Sequence, residues 1–175
     1  MADLRVPNSE ECLHVLQATP GVLRSLLALA TAEQLNWRPS AERWSIGMVL
    51  AHLADVEIRG FRDRFEPMLR TDRPLLASYD QWALFRERTE FDPYAEMARF
   101  EERRVATLAL LRGMPEGAGE RVGQHAELGE ITIAQLMNEF AFHDLGHIRQ
   151  VMELYRSRVF YPEMGAYQGY YRIAP

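Results

Sequence analysis

Apolar side chains recur every three or four residues along most of the chain, with charged residues between them. This spacing is typical of amphipathic helices, and it predicts four long ones. A short fifth helix is predicted in the connection between the second and the third long helix. The long helices are expected at residues 10–30, 46–70, 94–113 and 133–156, and the short one is expected to end near residue 88.

Capping residues support several of these helix ends. Thr31–Gln34 and Thr132–Gln135 each have a threonine followed three residues later by a glutamine, the pattern of a capping box. Ser78–Gln81 has the corresponding serine form and is expected to open the short helix. The dipeptide Asp92–Pro93 places a capping side chain directly before proline at a first helical position. Pro20 is expected to kink or restart the first helix, because proline lacks the backbone N–H donor.

The order of these elements indicates the fold class. No segment shows convincing strand alternation. Four long helices with mostly short connections are typical of an all-α protein folded as a four-helix bundle, here with a short extra helix in the longer crossover. We expect a single domain that covers residues 1–175. The aromatic C-terminal segment, residues 159–175, is expected to pack back on the bundle or on a partner subunit.

Composition and charge narrow the possible functions. The net charge of −5 argues against nucleic-acid and anionic-membrane partners. All 20 cationic residues are arginine, so a lysine nucleophile is excluded. A single cysteine, Cys12, cannot form an intramolecular disulfide, which fits a reducing compartment. The N-terminal segment lacks the apolar core of a signal peptide, and no segment approaches about 20 apolar residues. We therefore expect a cytoplasmic protein.

Two histidines interrupt the apolar stripe of the last long helix. His143 and His147 lie one turn apart, on the face that also carries Phe140 and Leu154. Side chains at this spacing are close enough to chelate one metal ion. A third ligand is available if the second helix is a neighbour, because His52 lies at the edge of its apolar stripe. By spacing alone, hydrogen-bonded core histidines are an equally good interpretation.

Polar neighbours of the histidines are candidates for an outer layer of the same site. Asp55 follows His52 by three residues and could orient its ring, although an intrahelical partner is the alternative. Glu139 and Gln150 flank the histidine pair, as outer contacts or substrate contacts, and Glu139 also as an extra ligand. Gly146, inside the helix, would permit the close approach of a substrate or of another helix.

The remaining polar candidates are predicted to be structural. His14 is expected to be a surface or a packing residue, His125 is expected away from the metal, and Cys12 has no neighbouring base that would make it a nucleophile. Glu57 is expected in an ion pair, and Asp144 in a surface or interhelix contact. Arg103 and Arg104 are expected on a solvated charged face, with binding of an anionic thiol as the alternative.

The chain resembles the DinB-like superfamily, including its YfiT-type members, from about Thr19 to Leu154. The resemblance is carried by four segments in this order: RWSIGMVLAHLADVE, DQW, FEERRVATLALLRGM and GQHAELGEITIAQLMNEFAFHDLGHIRQ. Their most specific feature is one histidine in the second helix together with a His-x-x-x-His pair in the last. The resemblance implies an up-down-down-up four-helix bundle, commonly dimeric, that binds zinc or nickel through three ligands: His52, His143 and His147.

The resemblance leaves the reaction open. Some relatives are S-transferases or isomerases that depend on a low-molecular-weight thiol. Others have been proposed to be metal-dependent hydrolases. Our first hypothesis is a metal-dependent enzyme with a small-molecule substrate, with thiol S-transfer ahead of hydrolysis. The second is a non-catalytic, stress-associated metal-binding bundle in which Glu139 could complete the coordination. The third is a structural bundle without metal. A homodimer without a nucleic-acid or membrane partner is expected in each case.

Overall fold

The four predicted long helices are present in the computed structural model, which describes residues 8–175. The N-terminal segment, for which no signal peptide is predicted, lies partly outside these residues. The second long helix contains a π-helical segment, Glu57–Arg62, between α3 and α4. Two 3-10 segments are present at Ala118–Glu120 and Tyr161–Tyr170. The helices are α1 Ser9–Leu27, α2 Ala32–Asn36, α3 Ile46–Val56, α4 Asp63–Arg70, α5 Ala83–Glu87, α6 Pro93–Arg112 and α7 Ile133–Val159.

The long helices form the expected four-helix bundle with up-down-down-up topology. Helix α1 contacts α6 and α7, and α3 contacts the same two helices. Asn8 at the start of α1 donates to Asn138 near the start of α7, so these helices run parallel. Arg112 at the end of α6 donates to Gln17 in the first half of α1, and Arg24 in the second half of α1 donates to Glu101, so α1 and α6 are antiparallel.

Two contacts at different heights give the direction of α3. It is parallel to α6, because Gly47 lies beside Pro93 and Ala54 accepts from Arg103. It is antiparallel to α7, because His52 lies beside His143 and Phe61, beyond the end of α3, stacks on Phe140.

Most of the predicted caps are confirmed. Both threonine capping boxes are formed, at Thr31 and Thr132, and Asp92 accepts hydrogen bonds from the first turn of α6. The predicted box at Ser78–Gln81 is wrong. Helix α5 begins later, at Ala83, and the turn before it is closed by Asp80, which accepts from the backbone N–H of Trp82. This hydrogen bond, from a backbone N–H to an aspartate two residues earlier, forms a local turn, so the chain turns before the helix starts.

Helix α1 continues through Pro20 without the predicted interruption. Proline has no N–H to donate, so the carbonyl of Leu16 loses its intrahelical partner. Nη1 of Arg104 replaces that donor, at 2.5 Å from the Leu16 oxygen. A neighbouring helix therefore satisfies the carbonyl that proline leaves free.

The π-helical segment carries one more residue per turn than an α-helix would. Gly60 permits this geometry, because a Cβ atom at this position would lie 2.2 Å from a methyl carbon of Val56. The segment places Phe61 against Phe140 of α7, with ring centroids 3.5 Å apart. It also directs Glu57 into the interior, where this carboxylate is fully buried.

Three short strands correct the expectation that the chain has no β-structure. Strands β2 Val122–His125 and β3 Gly129–Thr132 form an antiparallel hairpin, and β1 Leu75–Leu76 pairs in parallel with β2. They have only two to four residues, too few to show an alternating pattern. The sheet lies outside the bundle and closes the loop between α6 and α7.

One arginine connects all four long helices. Arg104 of α6 is 2% exposed, and its guanidinium binds Asp144 of α7 in a bidentate pair, at 2.7 and 3.0 Å. It also donates to Glu57 at 2.7 Å and to Leu16 of α1. Thr107 donates a further hydrogen bond to Glu57. The prediction that Arg104 lies on a solvated face is therefore wrong, since the carboxylates predicted to be structural surround it in the core.

The C-terminal segment packs on the bundle, which is one of the two positions expected for it. The backbone N–H of Ala174 donates to Glu153 at 3.0 Å, and Arg156 donates to the Arg172 carbonyl at 3.4 Å. Arg43 binds the terminal Pro175. As for membranes, none of the helices between residues 8 and 175 has the length and apolar character of a bilayer span.

The Arg104 connection predicts a large stability difference between two arginine substitutions. Arg104→Met should lower the free energy of unfolding by about 3–5 kcal/mol, because it leaves two buried carboxylates without their cation. Arg70→Met, which removes an exposed ion pair with Glu66, should cost only about 0–1 kcal/mol. Urea denaturation measures both values. Equal costs for the two variants would contradict this role of Arg104.

Candidate metal centre

Three histidine side chains meet between α3 and α7. Nε2 of His143 lies 3.1 Å from Nε2 of His52 and 3.2 Å from Nε2 of His147. All three donor atoms lie within 4.8 Å of one another. Between residues 8 and 175, no other three histidine, cysteine or carboxylate side chains come this close together. The structure therefore brings together the three predicted ligands.

Helix geometry explains this convergence. His143 and His147 lie one turn apart on α7, so both rings project from the same face. Helix α3 crosses this face in the opposite direction and places the buried His52 beside them. The ring of His143 also contacts Phe61 edge to face, at a centroid distance of 5.7 Å. The stacked pair of Phe61 and Phe140 thus sets the helix separation next to the site.

Burial keeps the three imidazoles neutral near pH 7. It lowers the pKa of His143 to about 3, with a further contribution from the neighbouring His147 and Arg104 charges. Burial and the two other histidines hold the pKa of His52 well below its ordinary value. Burial likewise lowers the pKa of His147. Neutral imidazole is the form that binds metal ions, so no proton has to be removed first.

Hydrogen bonds on the far side of two rings orient their Nε2 atoms toward the centre. Nδ1 of His147 lies 2.8 Å from Oε1 of Gln150, so Nδ1 carries the proton and Nε2 is free. Tyr79 lies 3.5 Å from Nδ1 of His52 and donates to Asp55 at 2.8 Å. Asp55 therefore reaches His52 only through Tyr79, and its other partner is Arg59.

In the part of the chain that the structure describes, His143 has no such hydrogen bond on the far side of its ring, and Glu139 does not join the cluster. Nδ1 of His143 is buried and has no hydrogen-bond partner between residues 8 and 175. Glu139 lies on the wall of the cleft beside His143, outside the group of three converging donors.

The donor set fits a divalent ion. Nitrogen ligands about 2.0–2.1 Å from a zinc ion are about 3.3 Å apart in tetrahedral geometry and about 2.9 Å apart at right angles. The observed distances from the His143 nitrogen, 3.1 and 3.2 Å, lie between these values. Neutral imidazoles alone do not explain the convergence well, because each pair of nitrogens would need a proton between them. Imidazole ligands suit zinc and nickel.

An open cleft of about 870 Å³ lies beside the cluster and is lined by His143 and His147. Trp44 forms one wall, with its ring parallel to that of His147 and 5.1 Å from that of His52. Trp82 packs edge-on against Trp44. Gly146 lines the cleft, and a Cβ atom there would meet nothing within 4 Å. The expected packing of another helix against Gly146 is thus not found between residues 8 and 175, and a close approach of a substrate there stays a prediction.

Sequence reasoning did not identify Tyr79 and Trp44 as parts of the site. Tyr79 lies in the crossover, where no periodic pattern indicates which way a side chain points. Trp44 lies two residues before α3, and its contacts with Trp82 and Phe85 are those of an ordinary packing residue. Their proximity to the histidines follows from tertiary structure alone.

The residues predicted to be structural lie outside the cluster. Cys12 is buried in the core, and burial raises the pKa of its thiol. His14 is exposed. Nδ1 of His125 accepts hydrogen bonds from the backbone N–H groups of Glu127 and Leu128, which closes the turn of the hairpin.

Comparison with known proteins places this architecture in a family. A family model described as the DinB superfamily matches residues 16–151. A Bacillus subtilis protein named "Putative metal-dependent hydrolase YfiT" is 26% identical over 150 residues, which cover 84% of each chain. A Bacillus licheniformis protein with the same descriptive name is 26% identical over 145 residues, covering 81% of this chain and 82% of its own.

The fold agrees with that of a solved relative. The structure of YfiT from Bacillus subtilis is described as "a probable metal-dependent hydrolase with an unusual four-helix bundle topology". It matches with a TM-score of 0.75 and 25% identity, over 85% of this chain and 86% of that chain. The predicted resemblance is confirmed over most of the length, and the chain belongs to the DinB superfamily.

Proposed function

We propose that this protein is a divalent-metal-dependent enzyme with a small-molecule substrate, and that Nε2 atoms of His52, His143 and His147 hold the ion. The observation that carries this proposal is the convergence of three neutral imidazoles beside an open cleft. When bound in such a site, zinc or nickel lowers the pKa of a coordinated water or thiol toward neutrality and so supplies a nucleophile.

The protein's own residues prepare the site in three ways. Gln150 and Tyr79 fix ring orientation at His147 and His52, so the ligands need little rearrangement. Trp44 shields one side of the histidines from water. Glu139, on the wall of the cleft, is the carboxylate we assign to accept a proton from the nucleophile.

Hydrolysis is the reaction we favour. The names of the relatives support it over thiol S-transfer, which the sequence alone had placed first. Thiol transfer is the second candidate, and it would require an external low-molecular-weight thiol because Cys12 is buried away from the cleft. Dependence of turnover on added thiol separates these reactions, since hydrolysis needs none.

The open cleft also argues against the alternative of a non-catalytic metal site. An ion that serves only stability typically has four protein ligands and no open position. The cluster has three, and Glu139 is not part of it. This arrangement supports a catalytic site over a closed structural one. A homodimeric state and a cytoplasmic location stay predictions.

Metal analysis tests the proposal. Protein purified without an affinity tag should contain about one equivalent of zinc or nickel, and a triple His52→Ala, His143→Ala, His147→Ala variant should contain none. His14→Ala, at an exposed histidine, should retain the metal. Elemental analysis provides the measurement. A wild-type protein that stays metal-free after reconstitution with either ion would exclude the proposed enzyme.

The hydrogen bond from His147 to Gln150 predicts a specific loss of affinity. Gln150→Leu should weaken metal binding about 10–100-fold, because the ring of His147 loses the partner that fixes its tautomer. Gln81→Leu is the matched control, since Gln81 lines the same cleft without contacting a histidine. Competition with a chromogenic chelator measures both affinities. Similar affinities for the two variants would show that Gln150 does not orient the ligand.

The lowered histidine pKa values predict that the metal-free protein loses stability in mild acid. An unfolded histidine takes up a proton near pH 6.5, whereas His143 in the folded protein remains neutral down to about 3. Between these values the unfolded chain binds more protons, so the free energy of unfolding falls as pH decreases below about 6.5 and is unaffected by this group above it. His143 alone contributes a slope of up to about 1.4 kcal/mol per pH unit.

Urea denaturation with a chelator present, at about pH 7.5, 6.5 and 5.5, measures this slope. The His143→Gln variant should show a shallower dependence, because one titrating group has been removed. An equally steep slope in the variant would mean that other groups cause the acid sensitivity.

A further inference from the structure

A second cavity, of about 330 Å³, shares no lining residue with the histidine cleft. It is a groove between α3 and α6, covered by α5 and the residue that follows it. Four of the side chains that line it are arginines: Arg59, Arg88, Arg99 and Arg103. Three carboxylates line it as well: Asp55, Glu87 and Glu96. The cavity thus carries one more positive than negative side chain.

The carboxylates are already occupied by three of the arginines. Arg88 and Arg99 both bind the buried Glu96. Arg59 binds Asp55 at 2.8 Å and Glu87 at 3.2 Å. Each of these acids is therefore neutralised within the groove.

Arg103 is the one arginine of the groove that forms no ion pair with a carboxylate among residues 8–175, although Asp55 and Glu96 attract it at longer range. Its Nη1 donates to the backbone carbonyl of Ala54 at 2.7 Å, which satisfies one donor but no charge. Partial burial and repulsion from Arg99 lower the pKa of this guanidinium. A guanidinium group has five N–H donors in a planar fork that matches the oxygens of phosphate. Arg103 thus retains donors for an anion that enters the groove.

We propose that this groove is a binding site for a small phosphate group, either inorganic phosphate or the end of a small phosphate ester, held by Arg103 together with Arg59 and Arg99. The cavity is large enough for such a group with some water. An anion in this position places a negative charge next to Arg103 and offsets its repulsion from Arg99. The site is distinct from the histidine cleft, and its existence does not depend on the proposed function.

The groove is connected to the histidines through one shared residue. Asp55 lines the groove, binds Arg59 and accepts from Tyr79, whose hydroxyl lies 3.5 Å from Nδ1 of His52. A phosphate that binds Arg59 competes with Asp55 for the same guanidinium group. Occupancy of the groove is thereby linked to the orientation of a candidate ligand.

Calorimetric titration of the chelator-treated protein tests the proposal, with inorganic phosphate and glycerol phosphate as separate probes at constant ionic strength. Wild type should bind phosphate saturably. Arg103→Gln should weaken binding at least about tenfold, because it removes the unpaired charge. Arg103→Lys, which keeps the charge, should retain part of the affinity. Preference for one probe identifies the free or the esterified form.

Two further variants separate a true site from misfolding or general charge effects. Glu87→Gln removes an acid from the rim of the groove and should tighten phosphate binding several-fold, an increase that a damaged fold would not produce. Arg70→Gln, at an exposed arginine outside the groove, should bind like wild type. No saturable binding, or equal affinities in Arg103→Gln and wild type, would overturn the proposal.

Discussion

The structure depends on one buried charge connection, in which Arg104 joins all four long helices. Its guanidinium binds Asp144 of α7, Glu57 at the end of α3 and the Leu16 carbonyl that Pro20 leaves free in α1. The rings of Phe100 and Phe140 contact it, each 4.9 Å from the guanidinium carbon. Buried charges tolerate little displacement once their partners are fixed. This connection therefore sets the register of the helices against one another.

That register determines the geometry of the candidate metal centre. Asp144 lies between His143 and His147 in sequence, so the ion pair that anchors it to Arg104 also fixes the helix turn from which both imidazoles project. The same arginine holds Glu57, one turn beyond His52 on the opposing helix. The buried ion pairs lie in the core, whereas His143 and His147 line the cleft. Stability and the proposed chemistry thus depend on neighbouring side chains of the same two helices.

Local chemistry allowed much of this to be predicted from sequence. Capping boxes and apolar spacing depend on neighbouring residues, so the four long helices and the starts of α2 and α7 were predicted correctly, and the His-x-x-x-His spacing placed two imidazoles on one face. Contacts between distant segments were not predictable. Arg104 was assigned to the surface because its partners lie 40 and 47 residues away, and Tyr79 gave no signal. Strand β1 pairs with β2 about 50 residues further along the chain, and the strands of the β2–β3 hairpin are too short to show an alternating pattern.

The most direct test of the central claim is anomalous diffraction from a crystal of the protein loaded with zinc or nickel. We predict one anomalous peak for the ion, about 2.0–2.2 Å from the Nε2 atoms of His52, His143 and His147, with the remaining coordination positions open to the cleft. No ordered peak at these nitrogens, or a peak bound elsewhere on the chain, would contradict it.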